Sequence, residues 1–335
     1  MKNSPYAAAL RQEIGARTRA WARRRPHVES YGDPPVIVFV PEEAQHGNFF
    51  HAAYEAILAR PEWMRRFDKV HAQSRSLPKA EPGRKWRELD SSMSSDALLM
   101  NVFCTPGIAQ SAAVRGALGV DGDEPLEFGW KARVPLANGR FDRTEVDLRW
   151  GDLLIEAKLT EADFQTRAAS VVEGYRDFVT VFDREALPRV ELATRRRREA
   201  TEFLEEISQE FESYVDARER EPGLLPGMEA SAAAALASSA AQSVAGYAGY
   251  QLIRNVLAAH ASGCRFCVLH DARRPDLREA WFAVMRAVRP AQLSVRLAVM
   301  TWQELAAALP EPLQGFLDAK YGIVAPGRPV SPAGA

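Results

Sequence analysis

The stretch from Thr144 to Lys158 limits the architecture of this chain more than any other. It reads Thr144-Glu145-Val146-Asp147-Leu148-Arg149-Trp150-Gly151-Asp152-Leu153-Leu154-Ile155-Glu156-Ala157-Lys158. Two strand-like runs flank Gly151-Asp152, a pair suited to a two-residue hairpin turn. That turn pairs Trp150 with Leu153, Arg149 with Leu154 and Leu148 with Ile155. Continuing the count sets Asp147 opposite Glu156 and Glu145 opposite Lys158. Alternation along a strand then gathers Glu145, Asp147, Glu156 and Lys158 on one face and leaves Val146, Leu148, Ile155 and Ala157 for the core. A shift of one residue in the loop register would scatter the set.

Opposed side chains in such a pair lie about 5 Å apart at Cβ, and two like charges there are unfavourable. A proton or a cation between them removes the penalty, and a hard divalent cation prefers oxygen ligands of this kind. Lys158 can then position or deprotonate a water, or stabilise charge developing on a phosphate. The competing reading is a solvated hairpin face with cross-strand ion pairs, but three acids against one lysine is poor compensation. Two acidic-x-Lys triplets occur, Glu156-Ala157-Lys158 and Asp318-Ala319-Lys320. The second sits in an amphipathic helical pattern with no acidic strand before it.

At these residues the sequence resembles the PD-(D/E)XK nuclease superfamily, the restriction-endonuclease-like fold, including bacterial restriction-endonuclease-like proteins. Asp147 matches the first acid of the pattern, with Val146 in place of the usual proline, and Glu156 with Lys158 matches the second motif. The resemblance implies a mixed α/β sheet with an αβββαβ core, and a Mg²⁺ (or Mn²⁺) dependent phosphodiesterase acting on DNA. In that reading Asp147 and Glu156 bind metal and Lys158 assists the water or the transition state. It also implies a glutamine/tyrosine pair on the crossover helix, offered here by Gln251 with Tyr247 or Tyr250. Some members recruit another acid, and Asp96 and Glu127 are the candidates, with Glu127 the one assigned to the metal. For both, a helix-cap or surface role competes, since acids favour first turns. A homodimer is one assembly compatible with the family. The alternatives are a catalytically inactive nuclease fold that binds DNA or protein, and a metal-independent helical interaction protein.

Elements along the chain divide it into an N-terminal accessory segment (1–89), a nuclease-like domain (90–323) with a helical insertion at about 162–245, and a disordered tail (324–335). Helices are expected at Ala7–Arg25 and, interrupted by Pro61, across Asn48–Arg66, with a strand at Val36–Val40 and a loop over residues 74–86. Ser91 to Ser95 supply caps for a helix at Ala97–Cys104. Strands follow at Leu126–Leu136, Thr144–Trp150 and Leu153–Leu159. Helices are expected at Ala162–Phe182, Arg195–Val215 and Ala230–Ala261, with a loop at Glu221–Gly227. The end alternates: strand Cys264–His270, helix Leu277–Val288, strand Ser294–Met300, helix Trp302–Leu309.

The 335 residues suffice for one large domain or two smaller ones. The opening, Met1 to Ala20, carries Lys2, Arg11, Glu13 and Arg17 and reads as a polar helix rather than a signal peptide. No apolar run is long enough for a membrane span, and three cysteines without a framework suit a reducing cytoplasm. The net charge of −1 does not announce nucleic-acid binding, although only seven of the 43 basic residues are lysine. Arginine runs at 23–25, 195–198 and 273–274 could each meet phosphates, with ion pairing to nearby acids as the simpler reading for 195–198. Cys264-x-x-Cys267, with His260 and His270 near, lacks a second cysteine pair, and burial of free cysteines explains it more simply. His46, His51 and His71 show no metal-pair spacing.

Overall fold

The sheet that organises the molecule takes its order from three consecutive antiparallel strands followed by two parallel ones. The computed structural model describes residues 4–331 except 43, 72–75, 81–84, 144 and 194–242. Its principal elements are α1 (Pro5–Ala22), α2 (His51–Leu58), α3 (Pro61–Phe67), α4 (Ser95–Phe103), β1 (Leu126–Lys131), β2 (Glu145–Trp150) and β3 (Leu153–Ala157). After them come α5 (Tyr250–Ser262), β4 (Arg265–His270), α6 (Pro275–Met285), β5 (Leu297–Thr301) and α7 (Glu311–Tyr321). The strand order is β5-β4-β3-β2-β1. β1 and β3 flank β2 antiparallel, whereas β4 runs parallel to both β3 and β5. From α4 to β4 the chain follows the expected αβββαβ order, a restriction-endonuclease-like mixed α/β fold.

Both faces of the sheet are covered, as a parallel centre requires. Leu148, Trp150, Leu153, Ile155 and Ala157 join one apolar cluster, which also holds Leu10, Ile14, Tyr54, Phe67 and the buried apolar side chains of α4 and α7. The residues of the expected accessory segment therefore share a core with the sheet. On the other face Leu154, Phe266 and Val268 pack with α5 and α6. β3 is buried along its whole length. An apolar side chain gains about 1.5–3 kcal/mol there, whereas a carboxylate incurs several kcal/mol of desolvation. Glu156, at 2% exposure, works against the packing of its own strand.

Several local expectations change. No long helix spans 162–182; that stretch holds the strand Thr166–Ala168 and short helices at Ala169–Val172 and Phe178–Val181. Residues 243–248, assigned to a long helix from their alanine content, form the middle strand of a second antiparallel sheet between Thr166–Ala168 and Arg189–Ala193. The small side chains are explained by close strand approach: a Cβ on Gly246 would lie 2.7 Å from the Arg167 carbonyl. The described part of the expected helical insertion is thus organised by strands, and α5 starts only at Tyr250. The expectations for 195–215, 221–227 and 230–242 lie outside the described residues. Residues 324–331 form no helix or strand, yet Ser331 is held by the Asp318 carboxylate and by Arg17, at 2.8 Å to its carbonyl. That portion of the expected disordered tail lies against the molecule.

A buried polar network fastens the N-terminal segment to α7. His46 Nε2 lies 2.9 Å from Asp90 Oδ1, and the Asn48 side chain donates to the Leu89 and Ser91 carbonyls. Lys320, wholly buried, donates to the Asn48 carbonyl at 2.8 Å, to the Asn48 side-chain oxygen and to the Tyr321 hydroxyl at 2.6 Å. Burial, reinforced by Arg25, pushes the Lys320 ammonium well below the usual lysine range. The second acidic-x-Lys triplet is therefore helical, as expected, and structural.

Candidate active site

The hairpin turns at Gly151-Asp152 with the expected register. Trp150 pairs with Leu153, Arg149 with Leu154 and Leu148 with Ile155. Gly151 adopts φ +59°, which a two-residue hairpin turn demands. The start of β4 braces the turn: Arg265 grips the Asp152 carboxylate at 2.8 and 3.0 Å and holds it below the usual carboxylate range.

Beyond Leu148 and Ile155 the ladder ends. The amide of Ala157, which a continued ladder would give to a β2 carbonyl, donates instead to Asp147 Oδ2 at 2.9 Å. This side-chain bond replaces a backbone bond and opens the hairpin at the position where Asp147 and Glu156 meet. Glu145 consequently does not face Lys158, contrary to the simple count: it pairs with Lys131 on β1 and binds Arg66. β3 continues on β4 alone, and the Lys158 backbone is fixed on both sides, by its amide to the Leu269 carbonyl and by Trp302 Nε1 to its own carbonyl.

Each Glu156 oxygen has one protein partner. Oε1 accepts from Lys158 Nζ at 2.8 Å, and Oε2 accepts from Asn255 Nδ2 on α5 at 2.8 Å. Burial works against the Lys158 ammonium, but Glu156, Glu161 and Asp147 outweigh it and raise its pKa above the usual lysine range. Lys158 therefore carries its proton. For Asp147 the balance runs the other way. Burial, with Glu156 and Asp96 adding, pushes its carboxyl well above the usual range, although Arg66 and Lys158 oppose this.

A guanidinium from α3 sits among the remaining acids. Arg66 donates to Glu145 Oε2 at 2.6 Å, Asp96 Oδ1 at 2.7 Å and Asp147 Oδ1 at 3.2 Å. Burial works against the Arg66 charge, but Asp96, Asp147 and Glu145 outweigh it, and its pKa is raised. Asp96, near the start of α4, is lowered because Arg66 and Lys69 outweigh its burial. Room for the guanidinium comes from Gly129, which lies between the β1 residues paired with Leu148 and Val146. It adopts φ +64°, and a Cβ there would lie 3.2 Å from Arg66 Nη1.

The structure thus brings together Asp147, Glu156, Lys158, Glu145 and Asp96. It does not bring in Glu127, which pairs with Arg149 at 3.2 Å in an exposed position. Gln251 reaches the neighbourhood only through its backbone amide, bonded to the Phe164 carbonyl, and its side chain makes no hydrogen bond among the described residues. Tyr247 bonds Glu173, and Tyr250 bonds Tyr175, so neither touches the carboxylates. Asn255, one helical turn after Gln251, holds Glu156 instead; helical i, i+4 spacing from Gln251 was the signal for it. Nothing local in the sequence marks Arg66, since only tertiary packing carries α3 onto β2. The Cys264 and Cys267 thiols are free and buried. Among the described residues no three His, Cys, Asp or Glu side chains form a metal-holding group.

Fold and hairpin together define a restriction-endonuclease-like protein. The family model described as restriction endonuclease associating with ARP matches residues 16–322, and the chain belongs to that family. No curated protein and no solved structure matches it. Among the described residues, no helix is long and apolar enough to cross a membrane.

Proposed function

We propose that this chain is a PD-(D/E)XK nuclease that hydrolyses DNA phosphodiester bonds with Mg²⁺ or Mn²⁺. The observation that carries the reading is the opened hairpin: Asp147 and Glu156 stand where the ladder ends, with the Lys158 ammonium on Glu156. Family membership favours a nuclease over an unrelated charged hairpin.

The donor set suits a divalent cation. Among the described residues Asp96, Glu145, Asp147 and Glu156 make side-chain ion pairs with Arg66 and Lys158, and Lys69 also acts on Asp96, so the acids outnumber the cations that act on them. Asp147 and Glu156 would hold the metal. Mg²⁺ commonly takes one or two protein carboxylates and completes its shell with water and substrate phosphate, which agrees with a site of two acids rather than a closed cage. Bound there, the metal supplies Lewis-acid charge against the phosphoryl oxygens. The chain's own groups do the rest. Lys158 brings a protonated ammonium to the reacting phosphate, where it offsets developing negative charge. Asn255 fixes the rotamer of Glu156, and the Ala157 amide fixes that of Asp147.

The test is plasmid cleavage in Mg²⁺ by Asp147→Asn, Glu156→Gln and Lys158→Met, with urea unfolding as the check on folding. Each variant is expected to lose cleavage while remaining folded. Full cleavage by all three would sink the proposal. Absence of Mg²⁺ and Mn²⁺ binding by calorimetry would favour the inactive binding module.

A further inference from the structure

Four arginines are buried among the described residues: Arg17, Arg66, Arg254 and Arg274. Three of them meet carboxylates. Arg17 bonds Glu13, Arg66 bonds three acids, and Arg274 bonds Asp276. Arg254 meets none. Its guanidinium donates to the Glu145 carbonyl at 3.3 Å and weakly to Asn255 Oδ1 at 3.4 Å, and it lies 5.7 Å from the centre of the Tyr250 ring. A second guanidinium, from Arg167 on the neighbouring small sheet, lies 5.6 Å from the same ring and has no hydrogen bond or ion pair among the described residues.

A guanidinium does not shed its proton in a protein, and an unpaired buried charge is costly. Contact with the Tyr250 ring recovers part of that cost. The rest is recovered when an anion arrives, and the planar fork suits phosphate oxygens. The position is informative as well. Arg254 adjoins Asn255, which holds Glu156, and it touches the backbone of Glu145, two residues before Asp147. By contrast Arg273 and Arg274, the arginine pair evident in the sequence, are committed to Asp271, Glu13 and Asp276.

We propose that Arg254, supported by Arg167 at the same Tyr250 ring, is the contact for a DNA backbone phosphate beside the cleavage centre. The inference rests on the nuclease reading for its substrate class, yet the contact itself does not depend on metal.

The experiment measures binding of a short fluorescent DNA duplex to the full chain in chelator, across a salt series, with Mg²⁺ calorimetry on the DNA-free protein alongside. Arg254→Met and Arg167→Ala are expected to weaken duplex binding about tenfold and fivefold respectively, and Arg254→Met to lower the slope of log affinity against log salt by about 0.9, one phosphate contact. Arg254→Lys keeps the charge and is expected to retain the slope while losing part of the affinity. Mg²⁺ binding and the thermal midpoint of Arg254→Met stay at or above wild type, because an unpaired buried charge has been removed. Unchanged duplex affinity and slope in Arg254→Met would overturn the proposal. So would a lowered thermal midpoint with parallel loss of Mg²⁺ binding, which marks a structural role, or failure of the wild type to bind the duplex. A wild type that binds the duplex through Arg254 but never cleaves it would refute the nuclease reading alone.

Discussion

Two buried polar clusters in this protein are built on opposite principles. Around Asn48, a single cation, Lys320, is surrounded by neutral acceptors and by aromatic rings, and burial lowers its pKa. Around the open hairpin, four acids share two ion-paired cations among the described residues, and burial with mutual repulsion raises the pKa of Asp147. The first cluster is closed: it ties residues 46–48 and 89–91 to α7 and gives the Lys320 amino group oxygen partners. The second is closed only on its Arg66 side. Protein groups satisfy the individual oxygens of Asp147 and Glu156 without balancing the total charge. The first network holds segments together, whereas the second, under the proposed function, would receive a cation.

The strongest way to break this contrast is to remove Arg66. Arg66→Ala leaves Asp96, Glu145 and Asp147 without their shared counter-charge and is expected to destabilise the protein by about 3–5 kcal/mol in urea unfolding. Arg66→Lys should recover only a fraction, because an ammonium cannot fork between three carboxylates. A loss under about 1 kcal/mol for Arg66→Ala would show that this cluster is as loosely coupled as a surface ion pair.

A smaller effect is expected in the neutral network. Lys320→Met strands the Asn48 side-chain oxygen and should cost about 1–3 kcal/mol at alkaline pH. The sign of its pH dependence follows from the lowered pKa. In the unfolded chain Lys320 takes up a proton as pH falls through the ordinary lysine range, while the folded protein resists, so wild-type stability drops on acidification. The cost of Lys320→Met should therefore shrink as pH falls from about 10.5. Unfolding curves for both proteins at pH 10 and pH 7 measure it, and a constant difference would mean that Lys320 remains charged.

The smallest effect has the opposite sense. In metal-free protein Asp147 has a raised pKa, so its contribution to stability is present at acid pH and is lost as pH rises above the ordinary carboxylate range. Asp147→Asn should gain stability over wild type by about 1–2 kcal/mol at neutral pH and almost nothing near pH 3, by the same linkage. Excess Mg²⁺ should erase the gain by stabilising wild type alone. Equal stability across pH would place Asp147 in an ordinary solvated environment.

The sequence made the turn half of the hairpin legible, because alternation and Gly151-Asp152 depend on local geometry alone. It misled at the open half, where counting pairs assumed that the ladder continues. Whether Ala157 bonds a backbone carbonyl or the Asp147 carboxylate depends on how far β2 and β3 part, which sheet twist and β4 decide. The αβββαβ order was readable from periodicity and from the acidic-x-Lys resemblance. The strand at residues 243–248 was not, because alanine-rich composition favours helix and only pairing with Arg189–Ala193 overrides it. Asn255 was nearly within reach: Gln251 was singled out on the right helix, one turn too early. Arg66 lies about eighty positions before Asp147 in the chain, and no periodic pattern connects them.

Arg66 reaches Asp147 from α3, which precedes the αβββαβ core. A fragment trimmed to residues 90–323 would keep every acid of the cluster and lose the guanidinium that offsets three of them. Dissection at the apparent boundary would therefore yield not a self-sufficient unit but a core with its charges unbalanced, although Asp147, Glu156 and Lys158 would all be present.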